Sequence, residues 1–227
     1  MTQLNALVLG ATGLTGKSLT NLLSHHESIN QVACLARSNK APNLKNLKWV
    51  KADFQHLAKY KDHFATDIVY CCLGTTIKKA GSKRAFYLTD FSLVLKAARL
   101  AAKQKAKHFI VISSLGANPD ALTFYNRVKG KMEKALVATF INSDTRLTIV
   151  RPSLLLGKRE ERRFSESMAA WLFKLSSPLW RGSLKKYEPI QAKTLAKALV
   201  EIGVTQANFL PNIIENKQLH EIAAAAN

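Results

Sequence analysis

The stretch Leu4-Asn5-Ala6-Leu7-Val8-Leu9-Gly10-Ala11-Thr12-Gly13-Leu14-Thr15-Gly16 decides how the rest of the chain is read. Leu4 to Leu9 is a short apolar run of the length of a buried parallel strand, and Gly10 ends it. A helical pattern follows from about Leu14 to His26. Three glycines at this spacing between a strand and a helix each have a task. Gly10 permits a tight turn, Gly13 lets the backbone approach a pyrophosphate, and Gly16 lets helix and strand pack closely. The helix N-terminus adds free amides and a partial positive charge. A glycine triplet alone is a common string; the strand before it and the helix after it make it a cradle for a dinucleotide.

The rest of the chain continues the alternation. Val32 to Ala36 reads as a second strand, Trp49 to Ala52 as a weaker third and Asp67 to Leu73 as a fourth, closed by Gly74-Thr75-Thr76. Lys83 to Lys105 carries one long helical pattern with Leu93, Ala97, Leu100 and Ala101 on a stripe. His108 to Ser113 is the fifth strand, a helix spans roughly Thr123 to Phe140, and Leu147 to Val150 is the sixth strand, stopped by Arg151-Pro152. Helices at Thr194 to Ile202 and Gln218 to Ala226 close the chain. Strands and helices in this order predict an α/β fold, a Rossmann-like doubly wound parallel sheet with a small C-terminal substrate-side extension. The whole of 1–227 reads as a single domain, with 153–227 contributing the substrate side. Ligands of such sheets sit beyond the carboxyl ends of the strands, where every motif named here falls.

The second strand ends Cys34-Leu35-Ala36-Arg37-Ser38-Asn39-Lys40. NAD sites place an acid near this point to bond the ribose hydroxyls. Here a cation and a hydroxyl stand instead: Arg37 would pair with a 2′-phosphate and Ser38 would add a donor, so NADP(H) is the expected cofactor. Asp53, at the end of the third strand, reads either as a partner of the adenine amino group or as a turn or helix cap.

Tyr125-Asn-Arg-Val-Lys129 puts a phenol and an ammonium one helical turn apart on the helix after the fifth strand. An ammonium beside a phenol favours the phenolate, which suits the tyrosine to protonating a carbonyl oxygen or deprotonating an alcohol. The same lysine can hold the nicotinamide ribose. Ser113 and Ser114 close the fifth strand; Ser114 is the better candidate to bond the substrate oxygen, because Ser113 continues the buried strand. No G-x-S-x-G elbow is present, and the six histidines have no obvious partner for a Ser-His-Asp hydrolase. Metal binding is not expected either, since Cys71-Cys72 lacks ligand spacing and His25-His26 end a helix.

Together these residues resemble the short-chain dehydrogenase/reductase superfamily in its atypical or extended branch, and within it the human Tat-interacting (metastasis suppressor) oxidoreductase family. The resemblance rests on Leu9 to Gly16, Cys71-Cys-Leu-Gly-Thr-Thr76, Lys107-His-Phe109 leading to Ser113-Ser-Leu-Gly-Ala117, and Tyr125-Asn-Arg-Val-Lys-Gly130. It continues through Arg151-Pro152 and Glu215-Asn-Lys217 with His220, and so runs over nearly the whole chain. It implies NADP(H) across the sheet, with the pyrophosphate over Gly10, Ala11, Thr12, Gly13, Leu14, Thr15 and Gly16, and the 2′-phosphate on Arg37. It also implies that the Leu73-Gly74-Thr75 stretch passes beneath the nicotinamide-side ribose, that Tyr125 and Lys129 are the catalytic pair, and that Leu155 and Arg163 touch the cofactor. The chain departs from the family pattern at Ser38, where relatives carry a second arginine, and at Ser153, where a glycine usually follows Arg-Pro.

Composition bounds the alternatives. A hydrophobic content of 47% in 227 residues suffices for one real core, and no apolar run approaches a membrane span. The N-terminus lacks the charged region of a signal peptide, and the three cysteines lie in apolar runs as reduced core residues; a cytoplasmic protein is expected. The net charge of +19 is spread along the whole chain without a nucleic-acid-binding signature, so no specific nucleic acid is expected. The expected partner is a small-molecule carbonyl or alcohol substrate. An NADP(H)-sensing regulatory protein with little turnover is the second reading. A weak anionic membrane contact through Met168 to Trp180, and a homodimer through the exposed face of the Tyr125 helix, stay open.

Overall fold

The structure, a computed structural model, describes residues 3–157, 182–205 and 212–226. Arg163, the charged loop around it and the Met168 to Trp180 segment lie outside the described residues.

The first strand, β1 (Leu4–Leu9), shows why the fold has three layers. Its side chains alternate between two cores. Ala6 and Val8 point to one, with Leu19, Leu23, Leu195, Leu199 and Leu219. Leu7 and Leu9 point to the other, with Leu57, Phe64, Val94, Ala97, Met132 and Leu136. A strand apolar on both faces is stable only when both are covered, which is the condition of a parallel sheet in an α/β protein. Helices α1 (Leu14–Ser24), α6 (Ala192–Val204) and α7 (Asn216–Ala225) cover the first face. The other carries a 3-10 segment (Phe54–Phe64), α4 (Val94–Lys103) and α5 (Phe124–Phe140).

The remaining strands of the main sheet are β2 (Ile29–Ala36), β3 (Leu47–Lys51), β4 (Ile68–Cys71), β5 (His108–Ile112), β6 (Arg146–Arg151) and β9 (Ile213–Glu215). Among the described residues this sheet has seven strands in the order β3-β2-β1-β4-β5-β6-β9, every pair parallel. The chain runs outward from β1 to β3 and then returns to β4 on the other side of β1, with Val8 opposite both Cys34 and Tyr70. Connections leave in opposite directions between β1 and β4, which opens the crevice where ligands of such sheets bind.

The structure differs from the sequence reading in several places. A seventh strand, β9, pairs Ile149, Val150 and Arg151 with Ile213, Ile214 and Glu215. Three residues carry too little alternation to be read as a strand. The C-terminal part also builds the core: α6 buries Leu195 and Leu199, and its Gly203 lies so close that an added Cβ would stand 1.9 Å from the Tyr70 hydroxyl. Lastly, the long helix is three pieces: α3 (Lys83–Tyr87), a π-turn at Leu88–Leu93, and α4. A preceding single turn, α2 (Ile77–Ala80), and the two-residue strands β7 (Leu155–Leu156) and β8 (Ile190–Gln191) complete the elements. Among the described residues no helix is long and apolar enough to cross a membrane.

Candidate active site

The glycine loop sits at the crevice. Gly10 has φ +82°, a conformation that favours glycine, and an added Cβ would stand 2.6 Å from the Cys72 carbonyl oxygen at the end of β4. Gly16 is closer still, since a Cβ there would lie 2.1 Å from the Gly10 carbonyl oxygen. Gly13 differs. It is exposed, and within 4 Å its Cβ would meet only the Gly10 oxygen, at 3.1 Å. Two glycines therefore close the loop onto strand and helix, and the third presents bare backbone at the first turn of α1. Ala11 and Thr15 are buried beneath it, and Thr12 is exposed. The Leu155 segment reaches the same loop, because a Cβ on Gly157 would lie 2.7 Å from Leu14 Cδ1.

At the end of β2, Arg37 is exposed. Ser38 accepts from Lys40 N on its hydroxyl (3.0 Å) and from Trp49 Nε1 on its carbonyl (2.8 Å), which fixes the turn that carries Arg37. Asp53 caps the 3-10 segment: its carboxylate accepts from Gln55 N at 2.9 Å and pairs with His56 Nδ1 at 2.8 Å. The hydrogen bond from His56, then that from Gln55, holds the carboxyl below the usual range. Of its two sequence readings, the cap is the one these contacts describe.

Tyr125 and Lys129, which the sequence pairs for proton transfer, lie on α5, whose N-cap Thr123 accepts from Asn126 N at 3.3 Å. Tyr125 is half-buried, its ring 5.4 Å from that of Phe86. Lys129 is buried. Its Nζ lies 2.8 Å from Asp90 Oδ1 and donates to the Ile112 carbonyl at 3.4 Å. Burial alone would lower the lysine, but the Asp90 charge, with Tyr125 adding to it, outweighs that and raises it above its ordinary value. The ammonium form is thereby kept. The second Asp90 oxygen accepts from Thr75 N at 2.9 Å, and a Cβ on Gly74 would stand 3.3 Å from Asp90 Oδ1. Asp90 thus ties Lys129 to the Leu73-Gly74-Thr75 segment.

Sequence reading did not single out Asp90. A signal existed: it is the only acid between Asp67 and Asp120. It lies in the π-turn that interrupts the long helix, a feature frequent at functional sites.

The two serines after β5 separate by their partners. The Ser113 hydroxyl donates to Glu133 Oε1. Glu133 also holds Arg151 through Nε at 3.1 Å and Nη2 at 2.5 Å, and Arg151 Nη1 reaches Glu215 at 2.9 Å. The Glu133 hydrogen bond leads the interactions that hold the guanidinium above its ordinary range. Ser113 therefore belongs to a network joining α5, β6 and β9. The Ser114 hydroxyl is buried and has no protein partner among the described residues. Burial pushes the Cys34 thiol up to about 11 and Cys71 to about 12, and all three cysteines are free.

A dinucleotide fits this arrangement. Open backbone at Gly13, the N-terminus of α1, an exposed arginine at the end of β2 and an orphaned buried hydroxyl at Ser114 lie at the carboxyl ends of β1, β2 and β5.

Comparisons with known proteins agree. Residues 10–169 match the NAD(P)H-binding family. Protein HTATIP2 from Rattus norvegicus is 30% identical over 219 residues, 95% of this chain and 87% of that protein. Protein FMP52, mitochondrial, from Eremothecium gossypii is 26% identical over 228 residues, 99% of each chain. Among solved structures, UDP-glucuronic acid 4-epimerase from Bacillus cereus with UDP-glucuronic acid and NAD superposes with a TM-score of 0.71 at 14% identity, over 92% of this chain and 76% of that one. MoeE5 in complex with UDP-glucose and NAD gives 0.68 at 14%, over 90% and 73%. At such identities these two show the fold alone. The sequence matches go further: the chain belongs to the NAD(P)H-binding family and is an atypical short-chain dehydrogenase/reductase related to HTATIP2 and FMP52.

Proposed function

We propose that the protein is an NADPH-dependent oxidoreductase that interconverts a small carbonyl compound and its alcohol. The observation that carries the reading is the orphaned Ser114 hydroxyl, buried at the end of β5, the strand whose Ile112 carbonyl binds Lys129 one turn from Tyr125. A buried hydroxyl without a partner is costly unless a ligand supplies one.

When bound, the nicotinamide supplies or accepts the hydride. Tyr125 gives its phenolic proton to the carbonyl oxygen as the carbon is reduced, and takes it back in the reverse direction. Ser114 bonds the same oxygen and orients it. Lys129, held as an ammonium by Asp90, stabilises the phenolate that proton transfer leaves. Gly10 to Gly16 receive the pyrophosphate, and Arg37 meets the 2′-phosphate where an NAD site would carry an acid.

Titration with NADPH and NADH, followed by nicotinamide fluorescence, tests the cofactor assignment. NADPH should bind more tightly, and Arg37→Ala should weaken it by about tenfold or more while NADH stays within about threefold, the loss of one charge-assisted contact. Equal affinity for both nucleotides, unchanged by Arg37→Ala, would assign the arginine to the solvent.

A further inference from the structure

We infer that the outer side of α4 and α5 is a docking surface for an anionic phospholipid bilayer. The two helices pack side by side on one face of the sheet. Inward they bury Val94, Ala97, Ala98 and Ala101 from α4, and Val128, Met132, Leu136 and Phe140 from α5. Outward they expose Arg99 and Lys103 from α4, and Lys131, Lys134 and Val137 from α5. Ile141 follows at its C-cap.

Along the two helices themselves the exposed charge has one sign. α4 contains no acid, and the only acid of α5, Glu133, is buried on Arg151 and Ser113. Asp144, the exposed carboxylate that follows α5, lines a hollow with Lys105. A solvated helix gains from pairing opposite charges three or four residues apart, and like charges at that spacing, as at Lys131 and Lys134, cost stability. Two neighbouring helices whose exposed charges are all cations therefore suit something negative.

Its apolar part narrows the partner. Val137 is 51% exposed and Ile141 74%, one turn apart and next after Lys134 along the helix. A second copy of the chain does not fit, because a two-fold contact would set Arg99, Lys103, Lys131 and Lys134 against themselves. A nucleic acid would use the cations and leave the aliphatics in water. A bilayer with acidic headgroups takes both, the lysines at the phosphates and the aliphatic tips at the acyl boundary.

The test is sedimentation of the purified protein with phosphatidylcholine vesicles, with and without phosphatidylserine. The wild-type chain should pellet only with the phosphatidylserine vesicles. Lys131→Gln/Lys134→Gln should lower the partition coefficient roughly 25-fold, about fivefold for each lysine. Val137→Ser/Ile141→Ser should lower it at unchanged charge. Lys45→Gln/Lys48→Gln, at the far edge of the sheet, should stay within about threefold, the scale of diffuse charge. Melting curves and NADPH titration of each variant separate loss of docking from loss of fold. Absence of binding to phosphatidylserine vesicles overturns the inference. So does an equal loss in the far-edge variant, which would assign binding to net charge alone. Binding to duplex DNA that ignores Val137→Ser/Ile141→Ser, without vesicle binding, would assign the face to nucleic acid instead.

Discussion

Lys129 Nζ and Asp90 Oδ1 stand 2.8 Å apart with their side chains 4% and 1% exposed, so the lysine proposed to support proton transfer is half of a buried ion pair. Two charges taken out of water need each other more than they stabilise the fold. Asp90→Ala leaves a buried ammonium unpaired and should cost about 3–5 kcal/mol in urea denaturation. Removing both charges, in Asp90→Ala/Lys129→Met, should recover part of that loss. A cost below about 1 kcal/mol for Asp90→Ala would show that water already compensates the lysine.

The glycines of the first loop should divide by what they touch. Gly16→Ala drives a Cβ to 2.1 Å from a backbone oxygen and should destabilise the protein by at least about 2 kcal/mol. Gly13→Ala meets one atom at 3.1 Å and should cost less than about 1 kcal/mol in stability. It should nonetheless weaken NADPH binding by about tenfold or more, because its Cβ would stand in the approach proposed for the phosphates. Denaturation and nicotinamide fluorescence on the two variants read the difference. Equal effects in both assays would contradict it.

His108 gives the fold a pH dependence. It is buried at the start of β5 with Nε2 2.8 Å from Thr148 Oγ1, and burial, then Arg146, pushes its imidazole down from 6.5 to about 3. The unfolded chain takes a proton near 6.5 and the folded one does not. This contribution to stability is full above pH 6.5 and is lost as pH falls towards about 3. The slope approaches about 1.4 kcal/mol per pH unit. His108→Gln, which keeps a polar group towards Thr148, should flatten that part of the stability curve. A wild-type curve parallel to that of the variant between pH 6 and pH 4 would mean that His108 is protonated in the fold.

Much of this molecule is legible in its sequence, for physical reasons that also mark the limits. The apolar runs of β1, β4 and β5 are short, buried on both faces and bounded by glycine or turn residues, so length and flanks identify them. That Tyr125 and Lys129 share one side of α5 is legible because a helix brings residues four apart together. Asp90 is not found that way, since it meets Lys129 only after β5 and the start of α5 have folded back across the π-turn. β9 is too short to show a period, and its pairing comes from β6 and the Arg151–Glu215 ion pair. The division between Ser113 and Ser114 is likewise tertiary, because Glu133 on α5 captures one hydroxyl and leaves the other.

The proposed chemistry is tested most directly by single-turnover oxidation of NADPH against a panel of small aldehydes and ketones, in the wild-type protein and in Tyr125→Phe. Alcohol should form in step with NADPH consumed. The rate should be at least about 100-fold lower in Tyr125→Phe, with NADPH affinity kept within about threefold. Turnover in Tyr125→Phe at the wild-type rate would contradict the assigned proton donor. Tight NADPH binding without turnover in either protein would make the chain a nucleotide-binding protein in place of a reductase.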